Sequence, residues 1–480
     1  MVHRHDSLPA LENTINHAID AGRLNQALKL IHNAVFQVIS EPVCTAQAFS
    51  CRKLDELCLK IGQICLKQEH VQHAIHTPPA DTPTILYLVT KLQKSGGHTR
   101  VLRDFILAQP EYRHIVLVTG LDGASDKNFL PESLPSQINY QVDYAPKDNF
   151  LHKLVWLQSR LKTLYPAKKT YLFNHHQDSV IIAAIQPEIV QNPSFYHHGD
   201  HHLCLGASLT TCEHIDIHAT GFQQCRNNGV QNTYIPLFVA DKGDRASSHF
   251  LEANTLTTCT AARTNKIEKP YPISYAQLIP DLLKSTEGTH IHIGTLTSWY
   301  RWKIKRKMKQ LGIAPERFIY LPWVSDLWRT LQQKQVDLYI TSFPYGGGLT
   351  LIEAMGAGIP VAIHRHMFSR LLSCTDLAYP EAFSWHAPEE LIQYCQMVNA
   401  EILSKSSRAG RQHYLDHYQN NQLSAILKGE KTVQVPDPEG NFSVQEDEYA
   451  YWLSGQFSLL HLLRNMIYRL AKRIRARLYR

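Results

Sequence analysis

The sequence predicts an α/β protein that consists of two Rossmann-like domains facing a cleft. Two observations predict this class. Short, β-rich apolar runs alternate with helical patterns over residues 82–239, and a second series of the same kind begins near residue 285 after a looser stretch. Alternating strands and helices indicate a mostly parallel sheet with helices on both faces, so two such series indicate two domains.

The flanking segments extend this plan at both ends. Residues 8–70 show helical patterns, and the last 24 residues alternate apolar and basic side chains. The six predicted parts are a helical N-terminal region (1–78), an N-terminal Rossmann-like domain (79–245), a linker (246–284), a C-terminal Rossmann-like domain (285–428), an acidic linker (429–456) and a basic amphipathic helix (457–480).

The composition is that of an ordinary globular protein. Of the 480 residues, 44% are hydrophobic and 19% are charged, which excludes a disordered chain. The ten cysteines follow no small-scaffold pattern, so we expect reduced thiols and a cytoplasmic protein. The first residues lack the apolar core of a secretory signal, and no window reaches about 18 uninterrupted apolar residues.

The net charge of +7 is concentrated in the C-terminal segment. Residues 457–480 hold seven of the 49 basic residues and no acidic one, so the remaining 42 basic residues balance 42 acidic ones. A neutral body argues against a nucleic-acid partner and for a local electrostatic contact made by this segment.

The C-terminal segment reads as an amphipathic helix. Its apolar residues recur at helical spacing between the cations: Leu459, Leu463, Met466, Ile467, Leu470, Ile474 and Leu478. Such a helix binds an anionic membrane surface, or it docks on its own protein or a partner. The first alternative predicts a peripheral protein at the inner face of the cytoplasmic membrane.

A glycine-rich segment, YGGGLTLIEAMGAGIP at residues 345–360, carries the sharpest motif. Three consecutive glycines let a ligand approach the backbone and expose N–H groups. The helix predicted from Leu349 directs its positive end at the same point, which suits a diphosphate. Glu353 lies one turn further, where it can accept hydrogen bonds from ribose hydroxyls. The predicted ligand-binding residues are Gly346, Gly347, Gly348, Leu349, Thr350 and Glu353.

A histidine-rich segment, SFYHHGDHHLCLG at residues 194–206, follows another predicted strand. Three interpretations stay open: catalysis or substrate binding, a polar structural loop, or a metal site. The cluster is too local to supply four well-placed ligands, so we expect no metal. On a strand His198 and Asp200 share a face and His201 points away, so His198 is the first catalytic candidate and His201 the second.

The segment RFIYLPWVSDLWRTLQQKQVDLYITSFPYGGGLTLIEAMGAG resembles the nucleotide-sugar site of GT-B glycosyltransferases, and the pattern extends over roughly residues 82–420. The chain is most similar to bacterial transferases that build surface glycans. It is more distantly similar to cytosolic protein N-glucosyltransferases, which also place a helical domain first. The resemblance implies the GT-B fold, a nucleotide-sugar donor in the C-terminal domain, acceptor contacts in the N-terminal domain, and no cofactor.

The resemblance also implies roles for individual residues. Similar transferases carry a His-x-Asp-His segment running into Leu-Gly, as residues 198–206 do here. A histidine there orients the donor or takes the acceptor proton, and Asp200 would hold its tautomer. Lys303 or Lys305 would reach the diphosphate, the alternative being a solvated basic helix face. The residues expected to border the cleft are Gly96, Gly97, His98, Arg100, His175 and Asp178.

The predicted function is transfer of a hexose from a nucleotide-diphosphate donor, with a UDP-sugar slightly favoured, to a glycan or lipid-linked acceptor in bacterial surface polysaccharide synthesis (class EC 2.4). Tyr345 stands where many retaining members carry a second glutamate, so stereochemistry stays open with a lean to inversion. The alternatives are a cytosolic protein glycosyltransferase, a non-catalytic nucleotide-sugar-binding or assembly protein, and a sugar epimerase of the same fold.

Overall fold

The computed structural model describes most of the chain. The described residues are 8–40, 49–68, 82–93, 97–121, 123–198, 202–246, 249–252, 255–269, 271–366 and 373–435. The sequence predictions on Gly96, Asp200, His201 and the basic helix at 457–480 fall outside these ranges, and so does the predicted acidic linker from residue 436 onward.

The first domain is a seven-stranded parallel sheet in the order β3-β2-β1-β4-β5-β6-β7. Its strands are β1 (Thr84–Val89), β2 (Arg113–Val118), β3 (Tyr140–Tyr144), β4 (Lys169–Phe173), β5 (Pro193–His197), β6 (Glu213–Asp216) and β7 (Asn232–Tyr234). The helices between them are α4 (Gly97–Leu107), α5 (Phe129–Ser133), α6 (Phe150–Thr163), α7 (Ser179–Ala184) and α8 (Ala219–Asn227). All residues of β1 and β2 except the first of each are buried, as expected for parallel strands that are covered on both faces.

Three N-terminal helices pack onto this domain and share its hydrophobic core. They are α1 (Leu8–Asp20), α2 (Leu24–Ser40) and α3 (Arg52–Lys67). Helix α3 lies so close to α7 that a Cβ on Gly62 would be 1.7 Å from the Ala183 carbonyl oxygen. The Asp55 carboxylate accepts hydrogen bonds from the backbone N–H groups of Gly206 (2.7 Å) and Ser208 (3.0 Å). The helical region is therefore a layer of the first domain.

The second domain is a six-stranded parallel sheet in the order β10-β9-β8-β11-β12-β13. Its strands are β8 (Thr257–Ala261), β9 (Thr289–Ile293), β10 (Phe318–Leu321), β11 (Leu338–Ile340), β12 (Val361–His364) and β13 (Phe383–Trp385). Its helices are α9 (Thr264–Ile267), α10 (Tyr275–Thr286), α11 (Ser298–Gln310), α12 (Leu327–Gln333), α13 (Gly348–Gly356), α14 (Pro388–Met397), α15 (Ala400–His417) and α16 (Leu423–Leu427).

The linker predicted at 246–284 differs from the structure. Strand β8 lies in the middle of the second sheet, and α10 contributes buried residues to its core. Strand β8 is rich in threonine and therefore has a weak apolar pattern. Its buried hydroxyls are paired within the sheet, because Thr258 donates to the Thr289 carbonyl (3.2 Å) and Thr260 to the Ile340 carbonyl (3.0 Å). Threonine is β-branched and favours strands. The domain boundary was predicted wrongly because this segment was assigned to a linker on its polarity alone.

The C-terminal helices return to the first domain. The Val239 N–H donates to the Tyr418 carbonyl (2.9 Å), and the Tyr414 hydroxyl donates to the Val239 carbonyl (2.7 Å). Arg411 grips Asp241 with two hydrogen bonds of 2.9 and 2.8 Å. Helix α15 of the second domain therefore packs against the segment that connects the two domains.

Candidate functional site

The glycine-rich segment forms a tight loop that leads into α13. The Ser342 hydroxyl donates to the Tyr345 carbonyl (2.7 Å), and the Thr350 hydroxyl donates to the Gly347 carbonyl (2.9 Å). A Cβ on Gly347 would lie 2.6 Å from Thr350 Oγ1, so glycine is required by close packing. The N-terminus of α13 therefore presents free backbone N–H groups beside glycines, whose lack of side chains leaves room for a ligand to approach them.

Lys266 is the lysine that lies against this loop. It belongs to the short helix α9, and its Nζ donates to the Gly346 carbonyl at 2.5 Å. The Tyr345 N–H in turn donates to the Lys266 carbonyl (3.3 Å). Burial lowers the pKa of Lys266. Lys266 was not predicted from the sequence, because the threonine-rich strand before it reads as a linker.

Glu353 lies one turn into α13 and is engaged by the other domain. Its side chain is 8% exposed, and its Oε1 accepts a hydrogen bond from the Arg100 guanidinium at 2.8 Å. Arg100 belongs to α4 of the first domain. Both residues were predicted at the cleft, and the structure joins them in one ion pair across it.

The N-termini of α4 and α13 approach each other at this boundary. A Cβ on Gly97 would lie 2.8 Å from Leu349 Cδ1. Each of these helices follows a parallel strand of its own sheet, so both begin at a carboxyl edge. In open α/β sheets, ligands bind at such edges.

A group of histidine rings fills the first-domain side of the site. The rings of His98 and His198 stack at 4.0 Å with an interplanar angle of 26°. The His175 ring lies 5.6 Å from that of His98, and the His176 ring lies 5.4 Å from that of His198. Burial, and the proximity of other imidazoles, lower the pKa of His98 and of His198 well below the ordinary value. The rings of His98 and His198 are therefore neutral at pH 7.

Solved structures of low sequence identity share this architecture. HepE of Anabaena, solved with UDP and glucose, is 14% identical over 72% of this chain and 98% of its own, with a TM-score of 0.54. The lipopolysaccharide outer core galactosyltransferase WaaB, in its apo form, is 18% identical over 72% of this chain and 99% of its own, at 0.51. The chain has the GT-B fold.

A third GT-B structure covers more of the chain. A mutant of the O-GlcNAc transferase of Thermobaculum terrenum matches 88% of this chain and 83% of its own, at 14% identity and a TM-score of 0.50. No protein-family model and no curated protein sequence matches. The GT-B fold and the resemblance to surface-glycan transferases, both predicted from the sequence, are confirmed at the level of fold.

The structure corrects the prediction that Asp178 borders the cleft of this GT-B fold. The residue is fully buried and caps α7, where its carboxylate accepts hydrogen bonds from the Val180 and Ile181 N–H groups (3.1 and 3.0 Å). It also accepts from the hydroxyls of Thr90 (2.6 Å) and Thr119 (2.7 Å). Four donors occupy the carboxylate, so Asp178 fixes the strand ends instead of contacting a ligand.

The two lysines predicted to reach the diphosphate lie on an exposed face of α11. Lys303 and Lys305 are both exposed, and the Lys303 Nζ lies 5.4 Å from the centroid of the Trp299 ring. Nothing in their contacts joins them to the glycine-rich loop. Their role in donor binding stays a prediction, and Lys266 is a second candidate for it.

Among the residues that the structure describes, no helix is both long and apolar enough to cross a bilayer.

Proposed function

We propose that this chain is a glycosyltransferase that moves a hexose from a nucleotide-diphosphate donor, a UDP-sugar being favoured, to a glycan or lipid-linked acceptor. One observation carries the proposal. The N-terminus of α13, with its glycine loop, Glu353 and Lys266, faces the histidine cluster (His98, His175, His176 and His198) across the boundary between two Rossmann-like domains.

The donor half of the proposed site is electrostatic. The departing nucleotide diphosphate carries negative charge, which the α13 N-terminus and the Lys266 ammonium would stabilise without reorganisation. Glu353 would accept hydrogen bonds from the ribose. Because its Oε1 already binds Arg100, donor binding and the contact between the domains share one carboxylate.

The acceptor half would be supplied by the histidine cluster. In a direct displacement, an acceptor hydroxyl attacks the anomeric carbon as the carbon–oxygen bond to the diphosphate breaks. The hydroxyl proton passes to a base, for which His198 is our candidate because its ring stacks on His98 next to the α4 N-terminus. This assignment favours inversion of the anomeric centre.

The proposed setting is surface polysaccharide synthesis at the inner face of the cytoplasmic membrane. Two observations support it: the basic amphipathic pattern of residues 457–480, and the likeness in fold to a lipopolysaccharide galactosyltransferase. A lipid-linked acceptor lies at the membrane, where such a segment would hold the enzyme.

A transfer assay tests the proposal. Full-length protein is incubated with radiolabelled UDP-, GDP-, CMP- or dTDP-sugars and bacterial membranes, and label is followed into lipid-linked, glycan and protein fractions. We expect transfer from one of the diphosphate donors, and not from the CMP-sugar, into the lipid-linked or glycan fraction. The transfer should be lost in Glu353→Gln and retained in Glu316→Gln, whose side chain is exposed. Folded wild type that neither transfers nor hydrolyses any of these donors would overturn the proposal.

A protein acceptor is the second candidate. The likeness to an O-GlcNAc transferase covers 88% of the chain, beyond the 72% matched by HepE, and the three N-terminal helices pack on the acceptor-side domain. Label that appears in the protein fraction, without any need for membranes, would favour this candidate over the first.

A further inference from the structure

A buried group of metal-ligating side chains lies in the first domain, apart from the candidate site. It combines two histidines, one aspartate and one cysteine from three elements: His197 of β5, His214 and Asp216 of β6, and Cys225 of α8. We call these four residues the ligand cluster. Their exposed fractions are 4% or less, so water does not solvate them. Buried polar groups of this kind need partners within the protein or an ion.

The donor atoms of His197, His214 and Cys225 lie within 4.8 Å of one another, and the Asp216 carboxylate lies beside two of them. Cys225 Sγ lies 3.4 Å from His197 Nδ1 and 3.6 Å from His214 Nδ1. Asp216 Oδ1 lies 3.3 Å from Cys225 Sγ and 3.0 Å from His197 Nδ1. Bond lengths of about 2.0–2.3 Å to a tetrahedral zinc ion place neighbouring ligand atoms roughly 3.3–3.6 Å apart. The distances from Cys225 Sγ to the other three donor atoms match this spacing, and the Asp216–His197 distance of 3.0 Å is slightly shorter. Nitrogen, sulfur and oxygen are all donors that zinc accepts.

The surroundings orient two of these ligands. His214 Nε2 lies 3.2 Å from the Leu209 carbonyl oxygen, which sets Nε2 as the protonated nitrogen and turns the lone pair of Nδ1 toward Cys225. The second oxygen of Asp216 accepts a hydrogen bond from the Asn232 amide at 2.7 Å, and that amide also donates to the Phe222 carbonyl (2.8 Å). Zinc ligands in proteins are held by such outer hydrogen bonds.

Charge also fits. A divalent zinc ion bound by one thiolate, one carboxylate and two neutral imidazoles forms a complex with no net charge, which a buried position tolerates. Binding deprotonates the Cys225 thiol, and that proton leaves to solvent. The metal-free alternative is a hydrogen-bonded network in which the thiol proton is shared among the facing acceptors.

We propose that the ligand cluster binds one zinc ion as a structural site. The ion joins β5 and β6 to α8. It thereby fixes the end of β5, from which the chain continues directly to His198. Because no ligand position is left open, the site performs no chemistry itself, and its burial means that zinc is acquired as the domain folds. The inference does not depend on the proposed transferase activity.

Metal analysis of the full-length protein tests this site directly. Protein made in zinc-supplemented medium and washed with chelator to remove surface metal should contain about one zinc per chain by plasma mass spectrometry. After unfolding in chelator and refolding with Co²⁺, it should show the charge-transfer absorption of a cobalt–thiolate bond. A folded protein that holds no zinc and shows no such band would overturn the proposal.

Two cysteine variants identify the ligand. Cys225→Ala should lose the zinc and the cobalt–thiolate band, whereas Cys212→Ala, an equally buried cysteine of the same domain outside the ligand cluster, should keep both. If Cys225→Ala does not fold, Asn232→Ala removes only the outer hydrogen bond to Asp216 and should weaken zinc binding about 10–100-fold. Zinc retained by a folded Cys225→Ala, lost in Cys212→Ala, or bound as tightly in Asn232→Ala as in wild type would contradict the assignment.

Discussion

At the scale of single residues, the candidate site is organised by one carboxylate with two tasks. Glu353 is buried beside Arg100 in the described structure, and the proposed donor would bring ribose hydroxyls to the same group. A buried carboxylate that loses its cation keeps its desolvation cost without the compensating attraction. The Arg100–Glu353 ion pair therefore stabilises the contact between the domains and also holds the Glu353 carboxylate in place for the proposed donor.

Replacing Arg100 tests the first task. Arg100→Met should lower the free energy of unfolding by about 1.5–3 kcal/mol, the range for hydrogen bonds to charged groups. Arg408→Met is the control, because the Arg408 side chain is exposed and donates to the Ser404 hydroxyl instead of to a buried carboxylate. Chemical unfolding monitored by fluorescence provides the measurement. Equal losses of unfolding free energy in the two variants would show that the Arg100–Glu353 pair does not stabilise the fold specifically.

Lysine substitutions test which cation meets the diphosphate. Lys266→Met should weaken the binding of the donor nucleotide about 10–100-fold, because a charge-assisted hydrogen bond is lost. Lys305→Met should leave it unchanged, since its side chain is exposed on α11. Calorimetric titration with UDP measures both, and circular dichroism checks that each variant is folded. Weaker UDP binding in Lys305→Met than in Lys266→Met would instead support the lysine that was predicted from the sequence.

These residues show what the sequence could predict about the site. Glu353 and the glycine loop belong to one short motif, so their spacing alone indicated their roles. Lys266 stands 80 positions from Gly346, in a segment without apolar periodicity, and only the fold brings them together. The ligand cluster was missed for the same reason: one member lies in the conspicuous histidine segment and the other three come from β6 and α8.

At the scale of elements, the helical layer is fastened to the first sheet by a buried acid. Asp55 of α3 is 2% exposed and accepts two backbone hydrogen bonds from the loop at Gly206–Ser208. Burial outweighs those bonds and raises the pKa of Asp55 to about 7. Helical periodicity predicted the layer, but no local pattern indicates that an acid on one of its helices would hold a loop some 150 positions away.

A pH series tests this attachment. The folded state holds a proton on Asp55 that the unfolded state loses near pH 4, so the stability from this group is present below pH 4 and lost as pH rises toward 7. Asp55→Asn cannot ionise and should remove this part of the pH dependence in urea unfolding between pH 4 and 8. Glu56→Gln, an exposed neighbour on α3, should retain it. An Asn variant with the wild-type profile would exclude Asp55 as the source.

At the scale of the whole molecule, the fold follows from two alternating series of strands and helices, which the sequence shows clearly. The boundary between them was placed wrongly because β8 is threonine-rich, and the C-terminal return of α15 onto Val239 leaves no sequence signal. Charge is the other global feature. Because the excess positive charge is confined to residues 457–480, we expect that segment to account for attraction to anionic surfaces.

Vesicle binding tests the role of the basic segment. Full-length protein should float with vesicles that contain anionic lipid and not with neutral vesicles, and binding should weaken as salt rises. A chain that ends at residue 435 should not bind either kind. The matched control keeps the full length but replaces Lys472, Arg473, Arg475 and Arg477 by glutamine, which removes charge without removing apolar residues. Undiminished binding by the shortened chain would assign the contact to another surface.

A thermal-shift panel tests whether the glycine loop, Lys266 and Glu353 bind a nucleotide-diphosphate sugar. UDP-, GDP-, CMP- and dTDP-sugars are added to wild type, Glu353→Ala and the control Glu316→Ala. A ligand that binds the native state must raise the melting temperature. We predict a shift for one of the three diphosphate classes and none for the CMP-sugar, which carries a single phosphate. The shift should be retained in Glu316→Ala and lost in Glu353→Ala. The proposed donor site would be contradicted by a folded wild type whose melting temperature rises with none of these ligands. A Glu353→Ala variant whose melting temperature rises as much as that of the wild type would contradict it as well.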